Sequence, residues 1–248
     1  MARGETEDPC PPNWEEQLEK LFGLGQIEDA LALANTVLAK HPFYWIPWCG
    51  RCRALLKLGR TEEALLAANK MVMFTGGCFT YPLNVKAAAH FRLHQYEKAL
   101  RAIDRSLDIT DNSVWAYEQK CRILNRLDRL EETIETANKS IEISADSPVI
   151  WVEKSIALGA TGRFEEATAC AAKAIELTPE DWLPWALYIH YLEDSGKFEE
   201  SLAAATKMLQ FDPENIQIWR TKRDLLRKLD KPLEAARIDK HIMTLTIY

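Results

Sequence analysis

The sequence contains no long apolar run, and this absence excludes a membrane-spanning protein. None of its apolar stretches approaches the roughly 18 residues that a transmembrane helix requires. The first residues, MARGETEDPCPPN, also lack the apolar segment of a secretory signal. We therefore expect a protein without a membrane span that resides in the cytoplasm.

Linker-forming residues and excess positive charge are scarce as well. Only 10 glycines and 11 prolines are present, and they do not cluster into linkers. The formal net charge is −6, whereas non-specific nucleic-acid binding needs a basic surface, so no nucleic-acid partner is expected. Six cysteines without a secretion signal indicate reduced thiols rather than a disulfide framework.

Motifs that carry catalytic chemistry are also missing. The sequence shows no glycine-rich phosphate loop, no catalytic-triad spacing and no carboxylate pair that stands apart from the structural pattern. Adjacent glutamates such as Glu62 and Glu63 are interpreted as helix starts, where the helix dipole favours negative charge. We expect neither an enzyme nor a bound cofactor or metal.

What the sequence does contain is a pattern with a period of 34 residues. Gly25 and Gly59 are 34 residues apart, and the same step separates Gly162 from Gly196. A small residue recurs with this period, apart from one step of 35, at Ala30, Ala64, Ala99, Thr133, Ala167, Ser201 and Ala235. A large aromatic residue stands 11 positions before the glycine or aspartate of a turn at Trp14, Trp48, Tyr117, Trp151, Trp185 and Trp219.

Each unit of this pattern predicts two helices. Apolar residues recur at helical spacing from Trp182 to Leu192, and Gly196 then supplies the left-handed residue that ends a helix. A second apolar stretch follows until Pro213 prevents its continuation. Neither helix can bury its apolar face alone, so neighbouring pairs must stack.

The 34-residue period, with its tryptophan, glycine, alanine and proline positions, resembles the tetratricopeptide repeat (TPR) family. The match covers about residues 13–248, behind a polar tail at residues 1–12. The resemblance implies an all-α, right-handed α-solenoid of about seven stacked helix-turn-helix repeats. It also implies a non-enzymatic scaffold or adaptor that binds a protein or peptide, alone or within a larger complex. The repeats are expected at about residues 11–44, 45–79, 80–113, 114–147, 148–181, 182–215 and 216–248.

Cys49 and Cys52 form a CxxC sequence that has two interpretations. A redox pair needs a helix N-terminus that lowers the thiol pKa, and Pro47 does place Cys49 near a helix start. In the repeat pattern, however, Cys52 takes the position of Cys121 and Ser155, where two helices approach closely. We expect small core residues here. The alternative is a thiol-dependent redox or metal-linked protein.

His90 and His94 lie four residues apart, a spacing that allows two histidines to share a metal. The glutamate of an HExxH zinc motif is missing, and His94 takes the place of a turn glycine. We therefore expect packing and turn roles for both histidines.

The resemblance implies a concave groove lined by the first helix of each repeat. The positions left after the packing residues are assigned predict a partner-binding set of Arg53, Lys57, Phe91, Arg92, Trp115, Arg122, Asn125, Arg126, Val152 and Ile156. Five cations in this set suit an acidic segment or a C-terminal carboxylate, with apolar side chains running on to Val152 and Ile156. The alternative is that the arginines face solvent or pair with neighbours such as Glu118. Trp45 and Trp182, like Trp115, fall outside the repeated aromatic position and are candidates for exposed surface.

Two other functions of helical-repeat proteins fit this sequence less well. Some TPR domains bind chaperone tails through a carboxylate clamp, but Glu15, Glu19 and Gly50 stand where clamp residues are expected. This disfavours a co-chaperone-like role for the first two repeats and leaves it open for the arginine-rich middle. RNA-binding helical repeats have a period of 35 residues and need positive charge, so RNA binding is also disfavoured.

Two departures from the pattern suggest further contact surfaces. The junction MVMFTGGCFTYP replaces the expected proline with Gly76 and Gly77. With Phe74, Phe79 and Tyr81 it predicts a bend in the superhelix, an apolar loop for a partner, or a poorly matched repeat. The last helix carries apolar residues that would mediate self-association or docking to a complex, or would fold back, at Ile238, Ile242, Met243, Leu245 and Tyr248.

Overall fold

The computed structural model describes residues 13–246, and within that range every regular element is an α-helix. The polar tail at residues 1–12 and Tyr248 lie outside the described residues. The helices are α1 (Trp14–Gly23), α2 (Ile27–Lys40), α3 (Trp45–Lys57), α4 (Thr61–Thr75), α5 (Thr80–Arg92), α6 (Tyr96–Ile109), α7 (Val114–Arg126), α8 (Leu130–Ile143), α9 (Pro148–Ala160), α10 (Phe164–Leu177), α11 (Trp182–Asp194), α12 (Phe198–Met208), α13 (Ile216–Lys228) and α14 (Pro232–Thr246). One helix pair lies within each of the seven expected ranges. None of the described helices is both long enough and apolar enough to cross a membrane.

A turn of three residues joins the two helices of each pair. Its middle residue has a φ between 55° and 76° at Gly25, Gly59, His94, Asp128, Gly162, Gly196 and Asp230. The next N–H closes the turn, as where Lys197 donates to the carbonyl of Leu192 at 2.8 Å. His94 therefore has the turn role predicted for it.

The small residue that recurs in the second helix is buried wherever it occurs. Its relative exposure is at most 1% at Ala30, Ala64, Ala99, Thr133, Ala167, Ser201 and Ala235. Opposite it, in the first helix, Ser155 donates to the carbonyl of Ala167 at 2.8 Å, and Cys121 donates to that of Thr133 at 3.7 Å. Small side chains are required because the two helices meet at these positions.

The helices group into two compact units, residues 13–119 (unit 1) and residues 120–246 (unit 2), with the boundary inside α7. The core of unit 1 is built around Trp14, Leu18, Trp48 and Leu55. Unit 2 contains one cluster around Trp185 and a second one that joins α8 to α11. The all-α helical-repeat class is confirmed, whereas the right-handed sense of the stack stays a prediction.

Candidate functional site

A pocket of about 370 Å³ lies on unit 1 between α3 and α5. Arg53 and Lys57 reach it from α3 because residues four apart share one face of a helix. Arg92 comes from α5, and the exposed Trp115 from the start of α7. The apolar lining includes Leu56, Val85 and Ala88.

Arg53 already has a partner. Its Nη1 donates to Oε1 of Glu19 at 2.8 Å and to Oε2 at 3.0 Å, and its guanidinium lies 4.1 Å from the centre of the Phe22 ring. Both charged side chains are largely exposed, so this ion pair contributes little stability. The carboxylate of a ligand therefore competes with Glu19 for the guanidinium of Arg53, with an interaction energy of similar size.

The other two cations of the pocket are less engaged. Arg92 donates through Nη1 to the backbone carbonyl of Leu56, which leaves the rest of its guanidinium fork without an acidic partner among the described residues. Lys57 is exposed and forms no ion pair with any residue that the structure describes. Phe91 lies beside Tyr96, with ring centres 5.4 Å apart, and does not line this pocket.

In unit 2 the predicted cations meet a carboxylate that the sequence did not indicate. Glu153, on α9, accepts a hydrogen bond from Asn125 Nδ2 at 2.8 Å and one from Arg122 Nε at 3.3 Å. Asn125 also donates to the backbone carbonyl of Glu153 at 3.0 Å. Burial raises the pKa of Glu153, and the hydrogen bond from Asn125 and the charge of Arg122 oppose that rise. Arg122 and Asn125 thus hold an internal acid, while Arg126 is exposed.

The predicted apolar end of the groove needs correction. Val152 is buried, with only 7% of its surface exposed, so it offers almost no surface to a partner. Ile156 is half-buried. The predicted set therefore divides between the units, with five residues in unit 1 and five in unit 2, and their union in one groove stays a prediction.

The three aromatic residues of the predicted partner loop behave differently from one another. Tyr81 is turned inward, where its hydroxyl donates to the carbonyl of Cys49 at 2.9 Å. Phe74 lies beside Trp48, with ring centres 6.0 Å apart. Phe79 is exposed and stacks on Trp45 with ring centres 6.0 Å apart. Gly76 and Gly77 both have positive φ, which permits the tight turn before α5.

The cysteine pair has the environment of core residues. Cys52 is fully buried, with its Sγ 3.9 Å from Sδ of Met71. Burial raises the pKa of both the Cys49 and the Cys52 thiol to about 12. A redox pair needs a thiolate at neutral pH, so this environment opposes the redox interpretation.

His90 and His94 are held by separate partners. Nδ1 of His90 is 2.9 Å from Oε1 of Gln95, and Nδ1 of His94 is 2.8 Å from the Tyr96 hydroxyl. Within residues 13–246, no group of three or more histidine, cysteine, aspartate or glutamate residues is arranged to hold a metal ion.

The last helix is only partly apolar at its surface. Ile242 is buried, Ile238 and Leu245 are half-buried, and Met243 is exposed. Self-association through this helix stays a prediction.

Paired helices joined by identical turns define an all-α helical-repeat protein. Models of the tetratricopeptide repeat match residues 19–75 and residues 149–181. These two matches, with the helix pairs along the described residues, support a protein of the tetratricopeptide repeat family, whose fold in general supports a protein–protein interaction scaffold.

Solved structures share this fold. A tetratricopeptide repeat protein from Parabacteroides merdae is 16% identical over 94% of this chain and 92% of its own, with a TM-score of 0.69. A thermophilic TPR protein of Thermus thermophilus is 22% identical over 73% of this chain and 97% of its own, with a TM-score of 0.60. YrrB, described as a TPR protein with an unusual peptide-binding site, is 13% identical over 77% of this chain and 97% of its own, with a TM-score of 0.61. A search of curated proteins returns no match.

Proposed function

We propose that the chain is a non-enzymatic scaffold whose unit 1 pocket binds an acidic peptide segment or C-terminal tail of a partner protein. The observation that carries the proposal is the concentration of positive charge around this one apolar pocket. Residues 30–96 contain eight lysines and arginines and only two acidic residues, a formal charge of +6 in a chain whose net charge is −6. Three of those cations line the pocket.

The pocket offers both parts of such a recognition. Lys57 supplies a point charge, and the guanidinium of Arg92 supplies a planar fork that suits a carboxylate. Trp115 and the apolar lining then accept the side chain next to that carboxylate, because aromatic residues are favoured anchors at interfaces. Asn84 accepts a hydrogen bond from Ser106 at 2.7 Å, which orients its amide beside the same pocket.

A peptide selection tests this proposal. Random peptides with free C-termini would be displayed and selected against the wild-type protein, and we expect acidic and apolar residues to be enriched together. The double variant Lys57→Glu/Arg92→Glu should bind the selected peptides at least about tenfold more weakly, as expected for the loss of charge-assisted contacts.

The matched control is Lys98→Glu/Arg101→Glu, which makes the same change of charge at two exposed positions of α6 that do not line the pocket. Equal loss of binding in both variants would show only long-range attraction and would contradict a specific pocket. Amidation of the peptide C-terminus distinguishes an internal acidic segment from a C-terminal tail. It removes the terminal carboxylate, so it should weaken binding only if the pocket recognises the tail.

The wider context of the scaffold stays a prediction. YrrB supports peptide binding by this fold, although its identity of 13% shows no more than the fold. Membership of a larger complex is tested by the native mass of the protein in a cell extract. The cytoplasmic location is tested by cell fractionation.

A further inference from the structure

A second surface of unit 1 carries exposed aromatic residues. We call it the aromatic edge; it lies at the start of α3, at the end of α4 and in the loops that precede α3 and α5, and it consists of Phe43, Tyr44, Trp45, Phe74 and Phe79. Phe43 is 79% exposed, and Tyr44, Trp45 and Phe79 are each about half exposed. The rings form two pairs, in which Trp45 stacks on Phe79 and Phe43 meets Phe74 edge-on at 6.5 Å, and Phe43, Tyr44 and Trp45 are consecutive in the chain. Contiguous exposed apolar side chains of this kind mark an interaction surface.

None of these five residues lines the peptide pocket. The aromatic edge is thus a surface that the proposed function does not use. The cations beside the aromatic edge are not those that line the pocket. They are Lys40 and Lys70, both exposed. Nζ of Lys70 lies 6.0 Å from the ring centre of Trp48, and the Trp48 ring contacts Phe74 of the edge. The segments 30–61 and 64–96 contain no acidic residue.

The corresponding loops of unit 2 have the opposite charge. The segment KHPFYW (residues 40–45) corresponds to LTPEDW (residues 177–182), and FTGGCF (residues 74–79), which is one residue longer, corresponds to FDPEN (residues 211–215). We call this second surface the acidic edge; it consists of Glu180, Asp181, Trp182, Phe211, Asp212 and Glu214.

The acidic edge keeps apolar anchors among its charges. Trp182 is 60% exposed and Phe211 about half exposed, and the four carboxylates are exposed too. Neither of its two loop segments contains a lysine or an arginine. The loop positions thus carry aromatic residues and Lys40 in unit 1, and aromatic residues with four carboxylates in unit 2. The position of Lys70 is a lysine in both units, since Lys207 occupies it in unit 2 and lies 5.7 Å from the ring centre of Trp185.

We propose that the aromatic edge of one copy of this protein docks on the acidic edge of a second copy. The exposed rings of the two edges bury against each other, and Lys40 and Lys70 of the aromatic edge face the carboxylates of the acidic edge. A second copy is the occupant because this one chain presents both complementary surfaces, and charge complementarity of this kind selects partner and register. The contact is head-to-tail, so each copy keeps one unused edge and association continues beyond a dimer or closes into a ring.

Sedimentation velocity tests whether the full chain associates. We expect the weight-average sedimentation coefficient of the wild type to rise with concentration and to fall again as salt is added, because salt screens exposed charges. A coefficient that does not change with concentration would overturn the proposal.

A charge exchange tests the two edges as partners. The variants Lys40→Glu/Lys70→Glu and Glu180→Lys/Glu214→Lys should each raise the apparent dissociation constant by about tenfold or more, since like charges then oppose each other. Glu180 and Glu214 are chosen because Asp181 caps α11 and Asp212 accepts a hydrogen bond from Asn215. An equimolar mixture of the two variants should associate again, because contacts between the two different variants join opposite charges. Failure of the mixture to recover would contradict this pairing of edges.

The stoichiometry gives an independent test. Trp45→Ser removes an exposed anchor of the aromatic edge, and Trp182→Ser removes one of the acidic edge. Each variant alone should be monomeric, and a mixture should give a 1:1 complex and no larger species, because each variant retains a single working edge. Circular dichroism checks that both variants keep their helices, since both tryptophans are exposed.

Two further experiments distinguish this contact from peptide binding in the pocket and from binding to a lipid surface. Lys57→Glu/Arg92→Glu should leave self-association unchanged, so the peptide pocket and the edge contact fail or succeed separately. Vesicles of phosphatidylcholine with phosphatidylserine test a lipid surface as occupant. A protein that binds those vesicles through Trp45 while it stays monomeric in solution would overturn the proposal.

Discussion

At the scale of single residues, the recurrent tryptophan has a role beyond filling space. The indole Nε1 of Trp48 donates to the carbonyl of Pro42 at 2.8 Å, and that of Trp185 donates to the carbonyl of Pro179 at 2.8 Å. Trp219 makes the same bond to Pro213 at 2.7 Å. The side chain therefore ties the loop before its helix to that helix. The spacing predicted a large residue here, but not its hydrogen bond.

A tryptophan-to-phenylalanine substitution measures that bond. Trp185→Phe should lower the free energy of unfolding by about 1–3 kcal/mol, because it removes the hydrogen bond to the Pro179 carbonyl and shrinks a core side chain. Trp182→Phe is the control, because this exposed neighbour can lose its indole with little effect. Urea unfolding of both variants checks the difference, and equal effects would contradict a role for the bond.

The cysteine pair predicts a pattern of chemical reactivity. Burial raises the pKa of Cys49 and Cys52 to about 12, so both should resist alkylation at neutral pH, whereas Cys78, the exposed cysteine among residues 13–246, should react before them. Because the unfolded thiols ionise at lower pH than the folded ones, stability should fall as pH rises from about 9 towards 12. Mass spectrometry after timed alkylation checks the order, and rapid modification of Cys52 in the folded protein would contradict it.

Glu153 should make the free energy of unfolding depend on pH in the opposite direction from an acid whose pKa is lowered on folding. Because burial raises its pKa, the folded state holds a proton more tightly than the unfolded state does. The contribution of this residue is therefore most favourable below its unfolded pKa and declines as pH rises through the folded pKa. Glu153→Gln should abolish that decline, because the amide still accepts from Asn125 and carries no charge. Thermal unfolding of the wild type and the variant between acid and neutral pH checks this, and parallel curves would refute it.

At the scale of elements, the helix pairs depend on places where side chains must be small. A Cβ added to Gly159, on α9, would collide with the ring of Tyr191 on α11. Gly23, the last residue of α1, has no such neighbour within 4 Å. These two glycines therefore have different reasons to be present, and only the first one permits a close approach of helices.

The two glycines predict opposite effects of the same substitution. Gly159→Ala should destabilise the protein by about 1–3 kcal/mol, because the buried Tyr191 cannot move without strain. Gly23→Ala should be neutral or stabilising by about 0.5–1 kcal/mol, because alanine is the better helix former. Urea unfolding of both variants measures the contrast. A stabilising Gly159→Ala would show that α9 and α11 are not held closely here.

At the scale of the whole molecule, contacts join helices that are near in sequence. In unit 2, α9 contacts α10 and α11, and α11 contacts α12. Repeat proteins of this kind transmit a local change mainly to the adjacent repeats. The two units are therefore expected to respond separately to a lesion in one of them.

Hydrogen exchange tests this separation. In Gly159→Ala, amides within residues 120–246 should exchange faster than in the wild type, with the largest increase in α9, α10 and α11. Amides within residues 13–119 should change little. Mass spectrometry of peptic fragments gives both results at once, and a uniform increase along the chain would show that the two units unfold together.

The periodic spacing by itself determined the helix pairs, the seven turns and the buried small residues. These features follow from local backbone preferences and from packing against the next repeat, and both causes recur in every repeat. His94, Asp128 and Asp230 could be placed in turns for that reason, although none of them is glycine.

Only the tertiary structure decided which side chains remain free to bind. Val152 and Glu153 are adjacent in the sequence, but a helix turns by about 100° per residue, so one enters the core and the other accepts hydrogen bonds from Arg122 and Asn125. Arg53 likewise meets Glu19 from the preceding repeat. Such pairings depend on the packing of one helix against another, which the order of residues along a single helix does not specify.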